Sequence, residues 1–249
     1  MKVLINADDF GWSKSCTDAI LQSFEKGYIT STTMCANGEA FDYAAQQVQK
    51  TEYQNRVGIH FVLTEGQPLT EGIRSNPKFC DEQGLFHGQF PRYQPLNRAS
   101  RQQVREELTA QAKRFADSGL SFHHADSHHH SHTAPFVTPI VRSVMKEFGI
   151  TGLRLHRNIG VISGVKRLWK RFWNSWIQKL AYTDYFGSFE DVEGDLRILE
   201  QEGILEIMCH PDLNGNGTVV DRAGNAPYDA PFGVPMEQYV KLVKKEDVK

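Results

Sequence analysis

Short runs of apolar residues alternate along most of the chain with longer stretches in which apolar positions recur every three or four residues. βα units on a parallel sheet require that alternation: strands covered on both faces read as continuous apolar runs, and the covering helices as one-sided stripes. Val3-Leu4-Ile5 predicts a first strand and residues 14–26 the helix behind it. Further strands are expected at 29–36, 56–63, 122–125, 152–155, 184–186 and 204–209, with helices at 39–50, 101–117, 136–148, 191–201 and 236–245. Only one helical stretch follows the seventh strand. The pattern therefore predicts an α/β fold, a TIM-like (β/α) barrel of about seven strands whose eighth unit is short or absent and whose closure is left open. Residues 64–100 hold four prolines and four glycines. They are too long for an ordinary βα loop and read as an active-site insertion.

The length of 249 residues suits one such barrel, so residues 1–249 are expected to form a single catalytic domain. A mean hydropathy of −0.46 and the absence of a long apolar run argue against a spanning segment. Lys and Arg number 28 against 30 Asp and Glu, a net charge of −2. No global basic field is available to hold nucleic acid or an anionic bilayer, and any polyanion site would have to be local. Neither nucleic acid nor a membrane is expected as a partner. Cys16, Cys35, Cys80 and Cys209 lie far apart without a CxxC pair, and Asp8-Asp9 comes before any leader-like apolar region. Both point to a reduced, cytoplasmic setting.

Histidine changes the picture, because six of the ten fall between His123 and His132. Four polar clusters sit at the predicted C-terminal ends of strands, where barrel enzymes carry their chemistry. They are Asn6-Ala7-Asp8-Asp9-Phe10-Gly11, Gly58-Ile59-His60-Phe61, the run from His123 to His132, and Glu206-Ile207-Met208-Cys209-His210-Pro211. Taken singly, the Asp pair reads as a helix cap and His60 as a core histidine. If the third run is extended, alternation puts Asp126, His128, His130 and His132 on one side as a row of potential metal ligands. Alternation also puts Glu206 and His210 on one face. Together the clusters offer two imidazoles and a carboxylate for a divalent metal, with a second carboxylate and a further histidine left for acid/base work.

The runs NADDFG, GIHFVLTEG, DSHHHSH and EIMCHP, in this order and with STTMCANG between the first two, closely resemble the YdjC-like carbohydrate deacetylases, in particular their chitooligosaccharide deacetylase branch. The similarity covers Lys2 to about Asp212, beyond which the last strand and helix of the family are hard to find. The resemblance implies a distorted (β/α) barrel holding one divalent ion, Zn²⁺ or Mg²⁺. It also implies hydrolysis of an N-acetyl group from a small N-acetylglucosamine oligosaccharide, chitobiose-like and in some cases phosphorylated, as in chitin degradation. By the same resemblance Asp9, His60 and His128 are metal ligands, Asp8 the general base, His210 the general acid, and Arg154 a basic residue orienting the base or the substrate. Asp126, His129, His130, His132 and Glu206 then support the ligands or contact sugar hydroxyls.

Residues 157–180 form a basic aromatic segment in which Trp169, Phe172, Trp173 and Trp176 share one helical stripe. The stripe is expected to pack on the barrel or on a partner subunit, as in a homodimer. A sugar platform, a membrane-surface helix and a nucleic-acid face are the functional alternatives. Two other classes compete with the deacetylase. A barrel glycoside hydrolase would work with two carboxyl groups about 5–10 Å apart and no metal. A non-catalytic metal- or sugar-binding protein would keep His60 and His128 without needing Asp8 or His210.

Overall fold

The computed structural model describes residues 1–88, 90–177, 179–222 and 233–244. In chain order the elements are β1 (Lys2–Phe10), α1 (Lys14–Glu25), β2 (Ser31–Cys35), α2 (Phe41–Val48), β3 (Val57–Phe61), α3 (Glu71–Arg74), α4 (Arg98–Asp117) and β4 (His124–Ser127). There follow α5 (Thr138–Phe148), β5 (Gly152–Leu153), α6 (Gly164–Ile177), β6 (Tyr185–Ser188), α7 (Phe189–Gly194) and β7 (Ile204–Cys209). Then come β8 (Pro211–Leu213), β9 (Val219–Asp221), β10 (Val234–Pro235) and α8 (Met236–Lys244). The class is α/β, and each of the seven strands expected from the apolar runs is present. The chain divides into two compact units: Met1–Phe10, Ser15–Thr32 and Gly152–Lys249 make the first, Gly11–Lys14 and Thr33–Thr151 the second.

In the first unit β7 lies between β1 and β6, parallel to both. Lys2 opposes Ile204 and Ala7 opposes Cys209. Because the strands are parallel, the next residues, Asp8 and His210, leave the ladder at the same end. β1 is longer than its apolar run suggests, so Asp8 and Asp9 belong to the strand and do not follow it. The helix expected at 191–201 breaks: α7 ends at Gly194, and a 3₁₀ turn over Leu196–Glu200 follows. The Ser188 side chain and Asp191 form a reciprocal capping box at the start of α7. Beyond β7, a stretch read as loop contains a small antiparallel sheet in the order β10-β9-β8.

In the second unit β3 and β4 pair in parallel, placing His60 opposite Asp126. A Cβ on Gly58 would lie 2.5 Å from the His124 carbonyl oxygen, so only glycine allows this approach. The 64–100 stretch is better ordered than a loop: it contains α3 and a bridge between Cys80 and Phe86, and α4 begins at Arg98 with Asn97 as its cap. Buried α4 side chains anchor it. Glu107 accepts from the Leu69 and Thr70 backbone N–H groups and the Thr70 hydroxyl, while Gln111 brackets both backbone groups of Val62. Such pairing satisfies backbone groups that lack a ladder partner.

Candidate active site

Two clusters are built, one in each unit. In the first, the buried Arg154, just past β5, grips both oxygens of Asp8 with Nη1 and Nη2 at 2.6 and 2.7 Å. Its Nε donates to Glu206 Oε1 at 2.7 Å, and the guanidinium stacks 4.7 Å from the Phe186 ring centre. One planar cation therefore joins the ends of strands β1, β5 and β7, which a lysine ammonium would not match in geometry. Asn6 donates to Asp8 Oδ1 at 2.9 Å and is itself held by the Ser31 hydroxyl. His210 presents Nε2 at 4.0 Å from Asp8 Oδ2.

His210 is clamped through its backbone: its N–H donates to Asp221 Oδ1 at 2.7 Å and its carbonyl accepts from the Arg222 N–H at 3.0 Å. Burial pushes the Asp221 carboxyl up to about 6 from an ordinary 3.8, with His210 opposing the shift. The folded chain thus keeps a proton that the unfolded chain releases nearer pH 4. This contribution is fully present below pH 4 and is lost as pH rises through 6. Asp221→Asn is neutral at every pH and keeps an acceptor. It is expected to gain on the order of 3 kcal/mol relative to the wild type between pH 4 and pH 7. Urea midpoints at the two pH values measure this, and a constant difference between the proteins contradicts it.

In the second unit His60 Nδ1 lies 2.6 Å from Asp126 Oδ1, and the Thr33 hydroxyl touches both partners, at 3.2 and 3.0 Å. A carboxylate at that nitrogen places the imidazole proton on Nδ1 and leaves Nε2 as a lone-pair donor. The His128 ring stands edge-on to His60 with centroids 5.7 Å apart and stacks on Trp12 at 5.4 Å. Glu65 reaches toward His128 Nε2 at 3.4 Å and His129 Nε2 at 3.7 Å. Glu65, His128 and His129 are one of the groups with donor atoms within 4.8 Å of one another. Tetrahedral coordination at about 2.05 Å requires ligand atoms roughly 3.3 Å apart, so these imidazoles and carboxylates are chemically suited to a divalent cation.

A family model described as YdjC-like protein matches residues 2–231. The chain belongs to the YdjC-like family. It is 36% identical over 214 residues to a carbohydrate deacetylase of Geobacillus stearothermophilus, covering 84% of this chain and 78% of that one. It is 34% identical to a carbohydrate deacetylase of Brevibacillus brevis, covering 85% and 81%. A solved structure described as a cellobiose-phosphate cleavage protein from Enterococcus faecalis superposes with a TM-score of 0.71 at 22% identity, covering 99% of this chain and 92% of that one. That likeness concerns the fold.

In this YdjC-like chain Asp8, Arg154, Glu206 and His210 come together, as do His60, Asp126 and His128. The expected row of Asp126, His128, His130 and His132 does not form. Strand β4 stops at Ser127, and His129 and His130 follow in left-handed backbone, φ 49° and 53°. The chain turns there, so period-two alternation ends. His132 is buried, with its ring on the Ser127 hydroxyl at 2.7 Å. Arg92, from the insertion, donates to the His129 and His130 carbonyls and holds that costly turn. Asp9 also has a positive φ, 67°, and its carbonyl accepts from the Cys16 thiol. Sequence reasoning missed Thr33, Glu65, Arg92 and Asp221. Thr33 and Glu65 stand inside the quoted runs STTMCANG and GIHFVLTEG, whereas nothing local marks Arg92 or Asp221. The four cysteines are buried and not disulfide-bonded, and burial raises Cys16 and Cys209 well above their ordinary range. Among the described residues no helix is long and apolar enough to cross a membrane.

Proposed function

We propose that this protein is a metal-dependent hydrolase that removes an N-acetyl group from a small, chitobiose-like N-acetylglucosamine oligosaccharide, with residues 1–249 acting as one cytoplasmic catalytic domain. The observation that carries this reading is the pair of clusters themselves: an Arg154-held carboxylate beside His210, and a carboxylate-oriented His60 beside His128. Relatives named carbohydrate deacetylase support it. The glycoside hydrolase reading has less support, because Asp8 and Glu206 are both buried and tied to one guanidinium.

In this reading Asp9, His60 and His128 hold one divalent ion, Zn²⁺ or Mg²⁺. When bound, the ion supplies Lewis acidity that polarises the acetyl carbonyl and acidifies water. Asp8 takes a proton from the attacking water, held in place by Arg154. His210 gives a proton to the departing sugar nitrogen, because an amide anion is a very poor leaving group. The carbonyl carbon gains the water oxygen, the C–N bond breaks, and acetate and a free amine result. Asp126 and Thr33 keep His60 in its ligating tautomer. The 64–100 insertion supplies Glu65 and Arg92 around His128 and His130, in keeping with a role in the substrate site.

Mass spectrometry of N-acetylglucosamine oligomers, plain and phosphorylated, after incubation with metal-loaded protein tests the reading. Loss of one acetyl mass at a particular chain length, abolished by chelation, is the expected result; cleavage between sugar units instead contradicts it. His60→Ala and His128→Ala should lose both metal and activity, since three protein ligands leave little to spare. Full metal content in both variants by elemental analysis moves the ligand set elsewhere, with Glu65 and His129 the first alternatives.

A further inference from the structure

The aromatic stripe of α6 is expected to pack on the barrel or a partner subunit, and the structure instead leaves two of its four aromatics, Phe172 and Trp176, exposed in a row with Val165 and Leu168. Val165, Leu168 and Phe172 are 82%, 69% and 66% exposed, and Trp176 continues the row at 43%. Their spacing of three, four and four residues puts them on one face of the helix. Loose packing does not explain the exposure, because the opposite side of α6 is fixed. Ile177 is buried, and the Asn174 amide brackets both backbone groups of His156 at 2.9 and 3.1 Å.

The surrounding charge has one sign. From residue 148 to residue 183 the chain holds seven Lys and Arg and no Asp or Glu, although acidic residues outnumber basic ones over the whole chain. Lys166 and Arg171 of α6 are exposed and flank the apolar row, one on either side. A near-neutral total therefore conceals the local polyanion site that the charge arithmetic left open.

We propose that the α6 face is a docking surface for an anionic lipid bilayer, with Leu168, Phe172 and Trp176 entering the headgroup boundary and the flanking Lys166 and Arg171 meeting lipid phosphates. A helix with large apolar side chains on one face and cations beside it lies in a membrane interface in this way. A second copy of the chain is disfavoured as the occupant, because two identical stripes face to face bring like charges together. The proposal does not rest on the deacetylase reading.

Flotation of the full chain with phosphatidylglycerol/phosphatidylcholine vesicles and with pure phosphatidylcholine vesicles tests it, alongside light scattering to fix the oligomeric state. Binding should be about tenfold or more tighter to the anionic vesicles and should fall steeply with added salt. Tryptophan emission should shift to the blue on binding. Leu168→Asp/Phe172→Asp and Lys166→Glu/Arg171→Glu should each abolish flotation with unchanged circular dichroism, since these side chains are exposed. Absence of flotation with either vesicle, or equal flotation with both, overturns the proposal. A wild-type dimer that Leu168→Asp/Phe172→Asp dissociates also overturns it and assigns the stripe to a second copy.

Discussion

Arg154→Met is expected to lose on the order of 3–5 kcal/mol of folding stability. The arginine is fully buried and bonds both Asp8 oxygens while also holding Glu206, two carboxylates that are themselves buried. Removing it leaves two anions in a site of low polarity, which costs far more than the net worth of the ion pairs. A domain of ordinary stability, about 5–15 kcal/mol, would retain only part of its folded population on warming. Arg154→Lys should fall between the two, because an ammonium cannot form the planar three-point bond. The cause is checked by Arg154→Met/Asp8→Asn/Glu206→Gln, which removes the stranded charges and should regain much of the loss. A wild-type urea midpoint for Arg154→Met would show that the buried network is not what holds these strand ends together.

Asp8→Asn and Asp9→Asn should fail differently although the residues are adjacent and chemically identical. Asp8→Asn removes the proposed base and should lower kcat by roughly 10²–10⁴-fold, with KM and metal content little changed, because in the proposed mechanism Asp8 acts on water and not on the sugar. It also loses the charge facing Arg154, so its folded state is verified by circular dichroism before the kinetics are compared. Asp9→Asn replaces the proposed anionic ligand with a neutral amide and should show its defect first in metal content. Elemental analysis and steady-state kinetics on both variants separate the roles. A fully loaded Asp8→Asn protein working near the wild-type rate removes Asp8 from the mechanism, and stoichiometric metal in Asp9→Asn removes Asp9 from the ligand set.

The sequence by itself located the seven strands and the polar clusters at their ends, because apolar runs and helical stripes are local properties of a chain with fixed backbone geometry. His60 and His210 were legible for the same reason: each interrupts or ends an apolar strand. Tertiary structure decided the rest. Arg154 is 146 residues from Asp8, and only strand register brings its guanidinium to that carboxylate and to Glu206. The histidine run looks extended until the turn at His129 and His130, whose left-handed backbone depends on Arg92 some 38 residues away. Asp221 reaches His210 through a hairpin in a stretch that reads as loop. The outward face of α6 was likewise beyond the sequence, since a stripe of aromatic residues establishes that a helix is one-sided, whereas the buried anchors Asn174 and Ile177 determine which side meets the protein and which meets solvent.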